Sequence, residues 1–205
     1  MKILLFSRSL IFFLSLFVAV AVDGQTTPDK FQLADVCLSP TEKNLAILIN
    51  EYRKEKKLPN VTISRSLTYV AQVHARDLML NYRQSSKCNM HSWSGKGSWS
   101  SCCYSPDHGK ASCMWNKPRE LTSYSGDGYE IAFYSTYPYS TPAIFASDIL
   151  KSWKKSIPHN EVIINKGKWN KSTWKAMGIG VYGNYAVVWY GEIADEAGEP
   201  LVCEE

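Results

Sequence analysis

Three residues of this sequence, His91, Glu130 and His159, have types that suit chemistry at a shared site. Neutral imidazole nitrogens and a carboxylate oxygen are good ligands for zinc or another divalent metal. The same groups can perform acid–base catalysis, or they can form a polar network that fixes a cleft. Because the three residues are far apart in the chain, the sequence leaves these alternatives open.

Glu130 is the one carboxylate within an apolar and aromatic run over residues 128–134. If this run is a strand, Glu130 lies beside the small Ala132 on one face, and the larger apolar side chains share the other face. A buried carboxylate without a partner is costly or becomes protonated. We therefore expect Glu130 to have a partner, and His91 and His159 are the predicted ones.

Apolar residues recur at helical spacing in three segments, which we predict to be helices over residues 39–58, 64–82 and 142–157. Ser39 and Glu42 have the spacing of a capping box and mark the first helix start. His74 lies on the apolar stripe of the second helix, which favours a core histidine bonded to a carbonyl or carboxylate over a ligand. His159 follows the third helix directly, and residues 162–165 are predicted to be extended.

The connection over residues 87–124 has little periodicity and is rich in Cys, Ser, Gly and Trp. A connection of this length is usually functional or held by disulfides. It contains His91, and it also contains Trp93, Trp99 and Trp115, the tryptophans that we consider for a binding surface.

Residues 174–182 and 185–190 have the pattern of two strands joined by a tight turn at Gly183-Asn184. Gly178 and Gly180 leave room for another element to pack close to the first of these strands. The order helix, helix, strand, helix, strand, strand predicts an α+β fold or a three-layer α-β-α sandwich, with helices covering the sheet.

Six cysteines occur after the first 36 residues: Cys37, Cys88, Cys102, Cys103, Cys113 and Cys203. An even number behind a secretory signal predicts three disulfides, although about 15 pairings are possible. Four of the cysteines lie close together and are expected to staple one loop region. We expect Cys37 and Cys203 to join the two ends of the domain. The alternative, a metal site, is disfavoured because no matching pair of CxxC motifs is present.

The first residues have the pattern of a secretory signal peptide, with Lys2 and Arg8 before a short apolar core, and we expect cleavage after Gly24. The apolar run is shorter than the roughly 20 residues of a membrane span. We therefore expect a secreted or extracytoplasmic protein that does not span a membrane. The net charge of +4 is modest, and no basic block with interleaved aromatics indicates a nucleic-acid partner.

Six short segments follow one another along the chain in an order that is typical of one family. They are Asn50-Glu51-Tyr52-Arg53, His74-Ala75-Arg76-Asp77-Leu78, Met90-His91-Ser92, Gly128-Tyr129-Glu130-Ile131-Ala132, Trp153-Lys154-Lys155-Ser156-Ile157-Pro158-His159-Asn160 and Met177-Gly178-Ile179-Gly180-Val181. Together they resemble the CAP domain, the family of cysteine-rich secretory proteins, venom antigen 5 and plant pathogenesis-related 1 proteins, and especially its bacterial branch. The resemblance implies a disulfide-stabilised three-layer α-β-α sandwich of CAP type.

The resemblance also implies a cleft that contains His91, Glu130 and His159. Two positions depart from the family pattern, because Ile131 replaces the asparagine that follows the glutamate and Ser156 replaces a second glutamate of animal and plant members. A family cavity of two histidines and two glutamates is thereby reduced to three residues. These three would also be the ligands of any zinc or other divalent metal.

The expected function is that of a secreted, monomeric binding module for an unidentified small ligand, lipid, glycan or protein. One alternative is a secreted hydrolase in which Glu130 and His91 or His159 activate water, with or without a divalent metal. Another is a structural trio that only ties loops to the sheet. We expect a signal peptide over residues 1–24, a lead-in over 25–42, a CAP domain over 43–192 and a tail over 193–205.

Overall fold

The computed structural model describes residues 32–137 and 142–204, with the backbone alone for residues 142–144. The described residues belong to one compact unit, Phe31–Glu205. The expected signal peptide and the first part of the lead-in lie outside the described residues. Within the described ranges, no helix is both long and apolar enough to cross a membrane.

The described chain contains both helices and strands. The helices are α1 (Pro40–Glu55), α2 (Arg65–Asn81), α3 (Ser112–Trp115), α4 (Lys117–Leu121), α5 (Pro142–Lys155) and α6 (Ile157–Ile163). The strands are β1 (Cys37–Leu38), β2 (Thr62–Ile63), β3 (Tyr129–Tyr134), β4 (Ala176–Tyr182), β5 (Tyr185–Gly191) and β6 (Leu201–Val202).

Helices α1 and α2 begin where their capping residues predict. The Glu42 carboxylate accepts a hydrogen bond from the Ser39 backbone N–H, and the Ser39 hydroxyl accepts one from the Glu42 backbone N–H, which completes the expected capping box. The Ser64 hydroxyl caps α2 by accepting from the Leu67 backbone N–H. Helix α1 ends earlier than predicted, because Lys57 adopts a left-handed backbone conformation with φ of 61° before the chain reaches Pro59.

The segment after α5 is helical, so the predicted extended piece over residues 162–165 is wrong. Pro158 lies in the first turn of α6. A proline is tolerated there because its missing N–H would have no partner within the helix. His159 is therefore a helical residue. The predicted irregular connection also contains α3 and α4, which are too short for apolar periodicity to reveal.

The central sheet has the strand order β2-β4-β5-β3. The predicted hairpin is formed by β4 and β5, which are antiparallel, and Gly183 has the positive φ of 54° that its turn requires. Strand β3 pairs antiparallel with β5, and β2 pairs parallel with β4. A separate pair of parallel strands, β1 and β6, brings the two ends of the domain together.

Helices cover both faces of the sheet. Helix α2 packs on β4 and β5 on one face, whereas α1 and α5 pack together on the other. Helix α2 lies very close to the sheet because Gly178 and Gly180 have no side chains. A Cβ atom at Gly178 would lie 2.0 Å from the backbone of Leu67, and one at Gly180 would lie 2.1 Å from that of Ala71. The predicted α-β-α layering is confirmed.

Three disulfides stabilise the described domain, as predicted. Cys37 pairs with Cys203, which joins the two ends beside β1 and β6. The pairings that the sequence left open are Cys88–Cys103 and Cys102–Cys113. Both lie in the connection that carries His91, so this part of the chain is held by covalent bonds where regular structure is sparse.

Candidate functional site

Glu130 lies in β3 with its side chain directed toward α2. Its neighbour Ile131 packs in the apolar cluster beneath α1 and α5, while Ala132 packs in the cluster beneath α2, so the strand has the two faces expected from sequence. The Glu130 side chain is 0% exposed. Each of its two carboxylate oxygens is bonded to a different histidine.

The first of these histidines is His74, in the middle of α2. Its Nδ1 atom is hydrogen-bonded to Glu130 Oε2, and its Nε2 atom is 3.0 Å from the carbonyl oxygen of Ser92. The imidazole is fully buried and stacks on Trp93, with ring centroids 4.2 Å apart. The expectation of a core histidine bonded to a carbonyl or carboxylate describes His74 correctly, since it has one of each.

The second histidine is His91, in the disulfide-held connection. Its Nδ1 atom lies 2.8 Å from Glu130 Oε1, and its side chain is 21% exposed. The Asn89 side chain accepts a hydrogen bond from the His91 backbone N–H, and the Tyr104 ring packs edge-on against the imidazole. His91 is thus fixed at the surface end of a buried carboxylate.

His159 lies near His91 and is not bonded to Glu130. Its Nδ1 atom is 2.6 Å from the Ser156 hydroxyl, within the first turn of α6. Burial is the main cause that lowers the pKa of His159 from 6.5 to about 4, and repulsion from the His91 ring, when that ring is protonated, acts in the same direction. The His159 ring is therefore neutral at neutral pH. The second partner of Glu130 is His74, where the sequence predicted His159.

The hydrogen-bond pattern assigns the protons of the buried pair. The Ser92 carbonyl can only accept, so Nε2 of His74 carries a proton, and the bond between Nδ1 and Glu130 requires a second one. Burial alone raises the pKa of the Glu130 carboxyl, but attraction to His74 and hydrogen bonds from His74 and His91 outweigh it, and the net pKa lies below the ordinary value. Glu130 is accordingly an ionised acceptor between two histidine donors.

Nothing in the local sequence around His74 indicated its pairing with Glu130. The useful signal lies on another element, in Gly178 and Gly180. These residues bring the Leu67–Ala71 side of α2 onto the sheet, and His74 is the next residue along that side. Two glycines spaced by one residue in a strand, opposite a helix with a buried histidine, would have predicted this contact.

The three residues expected to bind a metal are not arranged as a metal site. Among the residues that the structure describes, no three His, Cys, Asp or Glu side chains are placed to hold a metal ion. The physical reason is that Glu130 is enclosed and both its oxygens are engaged by imidazole donors. A zinc ion bound to Glu130 would need those donors removed, so a ligand set that includes Glu130 does not fit the metal.

One of the tryptophans considered for a binding surface, Trp93, has a structural role. Trp93 is buried, and it contacts His74, Trp99 and Trp189. The ammonium group of Lys117 lies 5.3 Å from the Trp93 ring centroid. Trp93 therefore packs against His74 inside the domain, and the expectation that it could belong to a binding surface is wrong.

Comparison with known proteins agrees with this architecture. The sequence profile of the cysteine-rich secretory protein family, CAP, matches residues 47–191. No protein in a search of curated sequences matches the chain. Similar solved structures include an extracellular protein containing an SCP domain from Bacillus anthracis, with a TM-score of 0.50, 16% identity, and coverage of 75% of this chain and 40% of that one.

Two further solved structures are similar. One is a cysteine-rich secretory protein from Staphylococcus aureus, with a TM-score of 0.47, 16% identity, and coverage of 75% of this chain and 38% of that one. The other is an outer surface protein from Borrelia burgdorferi, with a TM-score of 0.48, 18% identity, and coverage of 74% of this chain and 92% of that one. The matched part of this chain thus spans about two fifths of the length of the Bacillus anthracis and Staphylococcus aureus proteins. The profile match covers most of the chain and coincides with the sandwich that holds His91 and Glu130. The chain therefore belongs to the cysteine-rich secretory protein (CAP) family.

Proposed function

We propose that this protein is an extracellular binding module whose ligand contacts His91 and His159, with Glu130 as a buried positioning residue. Its three disulfides suit an oxidising compartment outside the cytoplasm. The similar structure from Bacillus anthracis is described as an extracellular protein, which supports the same location.

The observation that carries the proposal is the bond between Nδ1 of His91 and Glu130. A carboxylate on one ring nitrogen fixes the tautomer and the orientation of an imidazole, so Nε2 of His91 is left as an acceptor. In the described part of the chain, no hydrogen bond involves Nε2 of His91 or Nε2 of His159. The acceptor Nε2 of His91 suits a ligand that donates a hydrogen bond, such as a hydroxyl or amide compound, and Nε2 of the neighbouring His159 offers such a ligand a second polar contact.

The hydrolase alternative has less support. A general base must reach a water molecule or a substrate proton. The Glu130 carboxylate is buried, and both its oxygens accept hydrogen bonds from histidines. If a hydrolytic activity is found, Glu130→Gln should abolish it under that hypothesis, whereas retention of full turnover would rule out Glu130 as the base.

The proposal is tested by screening hydroxyl- and amide-bearing fragments and reading the imidazole ¹⁵N NMR signals. We expect hits that shift the Nε2 signals of both His91 and His159 and that no longer bind His91→Ala. Lys43→Gln is the control, because Lys43 is exposed in the first turns of α1, on the other face of the sheet from His91. Hits that bind His91→Ala as tightly as wild type would contradict the proposal, as would a screen in which neither Nε2 signal moves.

A further inference from the structure

The end of the sheet that carries the β4–β5 turn has an exposed surface of tyrosines and arginines. We define this tip surface by Tyr134 of β3, Tyr137 just beyond β3, Tyr182 of β4, and Arg76, Met79 and Arg83 on or after α2. Tyr134 and Tyr182 are both register partners of Tyr185. The Tyr134 and Tyr185 rings lie 4.8 Å apart, and the register places Tyr134, Tyr185 and Tyr182 side by side on three neighbouring strands.

Tyr137 is held at the same end of the sheet. The Ser135 backbone N–H donates to the carbonyl of Asn184 in the hairpin turn, and the Tyr137 backbone N–H donates to the Ser135 hydroxyl. The Tyr137 side chain is nevertheless 74% exposed. Its phenol ring therefore projects from a fixed backbone into solvent.

The last turns of α2 complete the surface. Met79 lies against the hairpin turn, since a Cβ atom at Gly183 would be 2.9 Å from the Met79 sulfur, and yet Met79 is exposed. The Arg76 guanidinium lies 6.0 Å from the centroid of the Tyr182 ring. Arg83 follows just after the end of α2 and is also exposed.

The charge of the tip surface is not compensated. In the described residues, no carboxylate lies within salt-bridge distance of Arg76 or Arg83. Glu42 reaches the neighbouring part of β4, but it is buried and accepts a hydrogen bond from the Val181 backbone N–H. Two cations without a carboxylate partner thus flank exposed tyrosines and an exposed methionine.

We propose that the tip surface docks on a membrane whose outer leaflet contains anionic phospholipids. Tyrosine is suited to the membrane–water interface, because its ring is apolar and its hydroxyl is polar. Arginine adds attraction to anionic headgroups. The exposed Met79 favours a lipid surface over an acidic polysaccharide, since an apolar side chain gains from insertion at the acyl boundary and gains little from a hydrated sugar chain.

The test is co-sedimentation of the purified protein with phosphatidylcholine vesicles, with and without about 30% phosphatidylserine. We expect binding to the anionic vesicles only. Each basic residue near such a surface contributes about fivefold in partitioning, so Arg76→Gln/Arg83→Gln should bind about 25-fold more weakly. Tyr137→Ser/Met79→Ser should also bind more weakly, because it removes the inserted apolar groups.

Two control variants are matched in chemistry and lie away from the tip surface. Lys171→Gln/Lys175→Gln removes two exposed cations before β4, and Leu201→Ser removes an exposed apolar side chain from β6. Both should bind like wild type, and circular dichroism should show all variants folded. Absence of binding to anionic vesicles would overturn the proposal. Equal binding by Arg76→Gln/Arg83→Gln and wild type would also overturn it. The proposal would likewise fail if Tyr137→Ser/Met79→Ser bound the vesicles with normal affinity and a soluble acidic polysaccharide displaced the protein from them.

Discussion

Replacing Glu130 by Gln and by Leu tests whether its two hydrogen bonds hold the domain together. Glutamine has the same shape and is neutral. Its oxygen can accept from His91, and its amide group can donate to Nδ1 of a neutral His74, so both contacts survive in weakened form. Leucine can form neither bond. The two variants therefore separate the loss of charge from the loss of hydrogen bonding.

The magnitudes follow from the burial of the pair. Hydrogen bonds to a charged group contribute about 1.5–3 kcal/mol each and neutral ones roughly half as much, so we expect Glu130→Gln to lower the free energy of unfolding by about 1–3 kcal/mol. Glu130→Leu leaves the buried His74 without its partner, for which we expect a loss of about 3–5 kcal/mol. Both magnitudes refer to neutral pH.

The assay is urea-induced unfolding with the disulfides intact, monitored by tryptophan fluorescence. Glu51→Gln is the matched control, because Glu51 is exposed on α1, and it should change the free energy of unfolding by less than about 0.5 kcal/mol. The reasoning is refuted if Glu130→Leu is as stable as wild type, or if Gln and Leu have the same effect.

Four further predictions concern other parts of the structure. Between pH 6.5 and about 4, the unfolded chain binds a proton at His159 that the folded protein does not, so the free energy of unfolding should fall as the pH is lowered through this range. His159→Gln should remove about 1–2 kcal/mol of that fall, after allowance for solvent screening, and identical pH profiles would contradict the assigned environment. Gly178→Ala should lower the free energy of unfolding by about 1–3 kcal/mol, because its Cβ would meet the α2 backbone, whereas Gly95→Ala, with its nearest neighbour 3.8 Å away, should be nearly neutral in the same urea assay. Isothermal titration should detect no tight zinc binding to wild type or to His91→Ala, and a signal lost only in His91→Ala would revive the metal hypothesis. Replacing both Cys37 and Cys203 by Ser opens a loop with a sequence separation of 166 and should cost about 4–5 kcal/mol in thermal or urea unfolding; an unchanged midpoint would show that β1 and β6 hold the ends without it.

Much of the framework could be predicted because its signals are local. The Ser39–Glu42 capping box, the Gly183 turn and the alternation around Glu130 each depend on a few neighbouring residues. The pairing of Cys37 with Cys203 was inferred from their positions at the two ends of the domain. For the capping box, the turn and the alternation, the physical cause lies within one element or at its boundary.

Other features depend on distances between elements, which the sequence does not state. A proline after a helix can mark the end of that helix or the first turn of another, and the sequence does not distinguish the two; Pro158 lies in the first turn of α6. Trp93 lies in an irregular connection, and its burial follows from contact with His74 on α2. The bond between His74 and Glu130 likewise requires the spacing between α2 and the sheet.

That spacing is set by Gly178 and Gly180, and it links two features that look independent in the sequence. A side chain at either position would displace α2 from β4, and the displacement would carry His74 away from Glu130. A lineage that replaced one of these glycines would therefore gain little by keeping the buried histidine and carboxylate. Among relatives of this chain, we expect positions 74, 130, 178 and 180 to covary. The residue found at either glycine position would then indicate whether the bond between the buried histidine and the buried carboxylate is present.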